Sequence, residues 1–158
     1  MTKYISILIL VFLFGCAEAE KETETDTAKS TVLAMYGAFA AGDIPTVKQL
    51  MAEGIVWNEA ENFPYADGNP YIGVDAIFEG VFARIGADWS SWVVRKGRVF
   101  SAGDMVVVEG YYDGTVAATG EKYAIQMVHI WQVKDGKIIH FQQYADTLKS
   151  TQAIAKKE

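Results

Sequence analysis

Two residues far apart in the chain have the types that suit chemistry. Glu59 closes the short run Ile55-Val56-Trp57-Asn58-Glu59, just before a long connector. His129 lies in a stretch of period two. Tyr123, Ile125, Met127, His129, Trp131 and Val133 share one face, and Ala124, Gln126, Val128, Ile130 and Gln132 share the other. The first face is the larger and more apolar, so it is expected to turn inward and take His129 with it. Trp57 and Glu59 share a face of their own strand. A carboxylate at the wall of an apolar pocket can take a proton from carbon or activate water. Burial raises its pKa toward neutrality, where a base is useful. A neutral imidazole opposite can hydrogen-bond to a carbonyl oxygen as it gains enolate character. Such a pair suits isomerisation, aldol-type cyclisation, dehydration or water addition. The plain alternative is a strand-end glutamate in water and an inward histidine satisfied by a neighbour such as Gln143.

Other chemistry finds little support. His129 and His140 are expected on opposite faces, so no metal site is expected, and no cofactor is implied. No Gly-rich phosphate loop precedes a helix. Glu109, in the middle of a strand, is either a second pocket carboxylate or a solvent-facing one. The net charge is −6 with no basic run, which argues against nucleic acid as a partner.

The elements that must position the pair follow from spacing. Val32, Met35, Tyr36 and Phe39 fall at i, i+3, i+4 and i+7 on a first helix that begins near Thr27. Gly42 suits its left-handed end, and Asp43 caps a second helix with Pro45 in its first turn. A short strand over 55–57 precedes twelve residues without periodicity, 60–71. The aromatic loop Asn62-Phe63-Pro64-Tyr65-Ala66-Asp67-Gly68-Asn69-Pro70-Tyr71 within them either closes over a pocket mouth, with Phe63 and Tyr65 as lid residues, or plugs the open end of the fold. Ile77, Phe78, Val81, Phe82 and Ile85 make the face of a third helix, with Gly86 at its end. Strands are expected over 91–99, 105–112, 122–133 and 137–145. The turns between them are expected at Gly103, Asp113-Gly114, Thr119-Gly120 and Asp135-Gly136. In the last hairpin, a three-residue turn puts Ile139, Phe141, Gln143 and Ala145 inside. A two-residue turn puts Ile138, His140, Gln142 and Tyr144 there. The first is favoured because it buries Phe141. The expected pocket lining is therefore Tyr36, Trp57, Phe63, Tyr65, Met127, Phe141 and Gln143, around a small apolar molecule.

This is an α+β layout: a cone-shaped, curved antiparallel sheet packed on three N-terminal helices. The order of elements carries a resemblance, together with Ala40-Ala41-Gly42-Asp43, Ile55-Val56-Trp57-Asn58-Glu59, the helix opening at Gly73, Lys134-Asp135-Gly136-Lys137-Ile138 and Gln143-Tyr144-Ala145-Asp146. Over residues 28–148 the chain resembles the nuclear-transport-factor-2-like superfamily, and within it the SnoaL-like and ketosteroid-isomerase-like proteins. The resemblance implies that Glu59 stands where ketosteroid isomerases carry their aspartate base. It places His129 where they carry the protonated aspartate of the oxyanion hole. The tyrosine of that hole matches Met35, and Tyr36 is one residue, about 100° of helix, away. The fold hosts isomerases, cyclases, dehydratases and non-catalytic modules, so three readings stay open. They are a proton-transferring enzyme, a binder of a small apolar ligand, and a module that pairs with a second copy through the outer sheet face around Val128, Ile130 and Tyr144. A homodimer is compatible with all three.

The N-terminus reads separately. Lys3, an apolar run over 5–14 and Leu13-Phe14-Gly15-Cys16 resemble a bacterial lipoprotein signal, with Cys16 the only cysteine. Ten apolar residues rise about 15 Å, too short to span a bilayer. The resemblance implies cleavage after residue 15, lipid on the Cys16 thiol and amine, and attachment to the cell envelope. With Ala17 next, that means the periplasmic side of the outer membrane where there is one. The acidic stretch 16–27 is expected to be a flexible tether, 28–148 the domain, and 149–158 a frayed tail. No disulfide is available to the domain, so its core alone must hold it.

Overall fold

The computed structural model describes residues 15–155. The expected signal peptide lies outside them except for its last residue. Helix α1 (Gly15–Ala41) is longer than expected, because its backbone continues unbroken through the acidic stretch. That stretch holds Ala, Glu and Lys, which favour helix, and no Pro or Gly after Gly15. It propagates from a turn already fixed by packing, so it meets no nucleation cost of its own. The Thr25 hydroxyl accepts the Gly103 N–H at 2.8 Å, so the end of the supposed tether is docked on the sheet. Ala28, Val32, Met35 and Tyr36 are buried, as the spacing required. Gly42 takes φ 67° and ends the helix, and Asp43 accepts the Thr46 N–H at 3.2 Å to start α2 (Ile44–Leu50).

Strand β1 (Met51–Asn58) follows directly. A two-residue strand, β2 (Tyr71–Ile72), pairs antiparallel with it and was not foreseen. The third helical segment is α3 (Val74–Ile77), a wider π turn over Phe78–Phe82, and α4 (Ala83–Asp88), running past Gly86. Four long strands complete the sheet: β3 (Trp89–Ala102), β4 (Met105–Val116), β5 (Lys122–Lys134) and β6 (Lys137–Ala145). Their order is β2-β1-β6-β5-β4-β3, a curved, unclosed sheet with helices on its inner face. All pairings are antiparallel except β1 with β6, which is parallel. That pairing brings the end of β1 beside β6, whose other neighbour is β5. The topology thus carries Glu59 toward His129.

Two turn expectations are corrected. Asp113-Gly114 is not a turn, and β4 runs through it to Val116. A Cβ on Gly114 would lie 2.6 Å from the Trp89 ring, so this glycine makes room for an indole, while Asp113 pairs with Arg95 across the strands at 2.6 Å. The last hairpin combines both alternatives. Asp135 (φ 51°) and Gly136 (φ 71°) form a two-residue turn with both central residues left-handed, pairing Lys134 with Lys137 and burying Ile138. A register shift between Gln132 and Val133 then flips the alternation. Phe141 lies opposite Trp131 and Gln143 opposite His129, both buried. The favoured inward set is correct beyond this bulge and wrong before it.

The tail is also corrected. Helix α5 (Thr147–Ala155) buries Ser150 and Ala153, and Asp146 caps it by accepting the Lys149 N–H at 3.0 Å. Ala153 supplies an anchor that the short polar sequence disguised.

Candidate functional site

Between the inner sheet face and the helices lies a cavity of about 50 Å³. Six of the nine residues expected at the site line it: Tyr36, Trp57, Glu59, His129, Phe141 and Gln143. The other three do not. Phe63 packs edge-on against Tyr65 and is tilted against the Tyr112 ring. Tyr65 is buried, donates to Asp88 at 2.9 Å and accepts the Trp89 indole N–H at 3.0 Å. The loop carrying both is stapled down. Tyr71 donates to the Tyr65 carbonyl at 2.7 Å, and Arg84 reaches Asp67 and the Pro64 carbonyl at 2.6 and 2.9 Å. These rings are therefore packed into the fold and do not form a lid. Met127 is buried against Gly110, away from the cavity.

Glu59 stands just beyond the end of β1 and is only 3 % exposed. Its backbone is clamped by Asn69, whose side chain accepts the Glu59 N–H at 2.9 Å and donates to its carbonyl at 2.8 Å. Its carboxyl receives one hydrogen bond, from the Trp57 indole N–H to Oε1 at 2.7 Å. Oε2 is buried with no partner. Burial pushes the carboxyl up to about 7, against the smaller opposing effect of the Trp57 bond. A buried orphan acceptor is rare enough to call for a reason, and a substrate is one.

His129 is buried on β5 with both ring nitrogens engaged. Nδ1 meets the Tyr36 hydroxyl at 2.7 Å, and Nε2 meets the Tyr112 hydroxyl. Burial pushes its pKa down to about 3, so the ring is neutral. Tyr36 accepts the Trp131 indole N–H at 3.0 Å. Tyr112 accepts from Gln143 Nε2 at 2.8 Å, while Gln143 Oε1 accepts the Ala60 N–H at 3.2 Å. Burial also pushes both phenols upward. Gln143 therefore satisfies Tyr112 and not the histidine.

Tyr36, one helix position from the residue that matches the isomerase tyrosine, is the one that reaches His129. Met35 and Tyr36 both line the cavity, because α1 crosses the sheet with that pair facing it, and the long Tyr36 side chain reaches His129. Sequence reasoning missed Tyr112, Trp131, Trp92 and Asn69. Tyr112 and Trp131 carried a usable signal, since each shares the inward face of its strand. Asn69 carried none. Glu109 is resolved as solvent-facing, paired with Arg98 at 2.7 Å. Among the described residues no group of three or more His, Cys, Asp or Glu could hold a metal, and no helix is long and apolar enough to cross a membrane.

This combination of curved sheet and helical cover recurs in known proteins. An NTF2-like protein from Burkholderia thailandensis is 34 % identical, with a TM-score of 0.74 over 80 % of this chain and 95 % of its own. TerC, co-crystallised with polyporic acid, is 24 % identical, with a TM-score of 0.74 over 82 % and 98 %. A candidate SnoaL-like polyketide cyclase from Jannaschia is 18 % identical, with a TM-score of 0.72 over 84 % and 94 %. The last two share the fold alone. Among curated proteins none matches the chain. The model of the SnoaL-like domain matches residues 32–141, which span α1 to β6 and hold both Glu59 and His129. The chain belongs to the SnoaL-like family.

Proposed function

We propose that this domain transfers a proton on an uncharged, carbonyl-containing small molecule, with Glu59 as the base. The observation that carries this reading is the orphan Oε2 of Glu59, buried in an aromatic cavity with a carboxyl that titrates near neutrality. In the reaction the α C–H of the substrate gives its proton to Oε2 and the carbonyl oxygen takes up the charge. Hydrogen bonding from the Tyr36–His129–Tyr112 cluster stabilises that enolate. Return of the proton at another carbon gives an isomer. Attack of the enolate carbon on a second carbonyl gives a cyclised aldol. Trp57, Phe82, Trp92, Trp131 and Phe141 supply flat apolar walls, and no Lys or Arg among the described residues lines the cavity, so a charged substrate finds no counter-ion there. TerC with polyporic acid and the candidate polyketide cyclase support small organic ligands in this fold. Against a panel of small ketones and β-dicarbonyl compounds, Glu59→Gln removes turnover or deuterium exchange while ligand affinity stays within a few-fold. Unchanged exchange in Glu59→Gln refutes the role and leaves a binder of small apolar molecules.

We further propose that the domain is exported and held at the cell envelope through lipid on Cys16. The support is the apolar run and Leu13-Phe14-Gly15-Cys16. Several acyl chains hold a protein on a membrane far better than one. Cys16→Ser is expected to leave the membrane fraction, and a variant that stays there with its signal cleaved overturns the anchor.

A further inference from the structure

The hydrogens around His129 do not balance. A neutral imidazole brings one N–H, and Tyr36 and Tyr112 bring one O–H each. These three hydrogens serve only two contacts, Tyr36 with Nδ1 and Tyr112 with Nε2. The outer contacts consume none of them. Trp131 donates to Tyr36, and Gln143, oriented by the Ala60 N–H on its Oε1, donates to Tyr112. If Tyr36 donates to Nδ1, Nε2–H donates to Tyr112 and the Tyr112 hydrogen is left over. If Nδ1 carries the proton, the Tyr36 hydrogen is left over. Neither hydroxyl has a further protein acceptor among the described residues, and both line the cavity.

We infer that a tyrosine O–H, passed between Tyr36 and Tyr112 by the tautomer of His129, is the donor this site offers to a ligand oxygen. His129 is then a positioning residue, with both nitrogens occupied, and not the group that touches substrate. The inference deepens the proposed function and rests on it only for the word substrate, since the hydrogen count concerns binding. The cavity presents one surplus donor and one orphan acceptor, Glu59 Oε2. That complement selects an uncharged ligand whose oxygen accepts while an acidic hydrogen on or next to it is given up: an enol, a phenol or an enolisable ketone. A phenol satisfies both orphans with one hydroxyl.

Phenol and toluene are nearly the same size, so both must displace the side chains lining the cavity of about 50 Å³ to the same degree, and they differ in that hydroxyl. Their affinities can be read by quenching of the Trp57, Trp92 and Trp131 fluorescence at pH 8, with Glu59 mainly ionised. Phenol is expected to bind at least tenfold tighter than toluene. Tyr36→Phe and Tyr112→Phe should each keep that ratio within about threefold, because the remaining tyrosine inherits the hydrogen. The double variant should lose most of it. Equal binding of phenol and toluene by the wild-type protein overturns the inference without needing any variant. Loss of the whole ratio in one single variant overturns the exchange and makes that tyrosine a dedicated donor. Retention in the double variant makes the imidazole the donor and also overturns it. Ring ¹⁵N shifts of His129 give an independent reading, expected to show one protonated nitrogen at pH 6; two protonated nitrogens refute the count. A failure of Glu59→Gln to stop proton exchange would sink the catalytic reading and leave these binding ratios intact.

Discussion

Glu59→Gln should make the protein more stable at alkaline pH while it loses its base. The unfolded chain releases the Glu59 proton near 4.5, but the native chain keeps it to about 7. The native state therefore binds the extra proton between those values. Its stability is full below 4.5, falls as pH rises, and levels off above 7. At 1.36 kcal/mol per pH unit this difference corresponds to about 3 kcal/mol. His129 works in the opposite sense. Its pKa falls from 6.5 to about 3 on folding, so its contribution is full above 6.5 and is lost as pH falls toward 3. Between 4.5 and 6.5 the two slopes nearly cancel, so the pair by itself gives a plateau there, with decline on both sides. Gln keeps the shape of Glu and its Oε1 can still accept the Trp57 N–H, so the exchange removes the charge with little repacking. Urea unfolding followed by tryptophan fluorescence at pH 4.0 and 8.0 measures the difference between variant and wild type at each pH. That difference should favour the variant by about 3 kcal/mol more at pH 8.0 than at pH 4.0. The surface carboxylates Asp43, Asp67 and Asp113 cancel, because both proteins carry them. A difference that does not change with pH would mean that the carboxylate ionises as freely folded as unfolded. The buried-base reasoning would then fail.

Trp57→Phe should keep the ring stacked on Phe141, now 3.7 Å between centroids, but remove the only hydrogen bond on the Glu59 carboxyl. That bond lowers the pKa, so its loss moves the acid limb of any proton-exchange activity to higher pH; an unmoved limb refutes the coupling. Gly114→Ala should cost about 1–3 kcal/mol in urea unfolding, because the added Cβ would meet the Trp89 ring at 2.6 Å within β4. A neutral result there would favour a flexible turn over a packed strand.

The sequence disclosed what depends on local period and hid what depends on pairing. The inward histidine followed from alternation along 123–133, and the apolar face of α1 from its helical spacing. Asp113-Gly114 misled because Asp-Gly is a strong turn signal, whereas the glycine here answers a steric demand from Trp89, twenty-five residues away. The β5–β6 register was ambiguous for a related reason. A turn fixes the pairing next to it, but one extra residue at a bulge reverses the alternation beyond, and single-strand periodicity does not report the partner's count. The bond from Tyr36 to His129 was not legible from helix angle alone. A one-residue step on a helix does turn the side chain by about 100°, but a phenol long enough to reach across a cavity tolerates that step where a short side chain would not.

The site also explains why so much aromatic surface surrounds two polar centres. A carboxylate alone in such a hollow would be expected to neutralise or to draw water, and a lone imidazole would be a buried polar group without partners. The fold gives the imidazole two phenols, themselves held by Trp131 and Gln143, and completes every bond in that chain but one hydrogen. It gives the carboxyl a single indole and leaves its second oxygen bare. A domain selected for stability alone would gain by filling the cavity and replacing Glu59 with an apolar residue, since the single Trp57 bond does not offset its desolvation. That the polar groups left unmatched are one donor and one acceptor, facing the same small space, is the arrangement expected when the missing partner is a ligand.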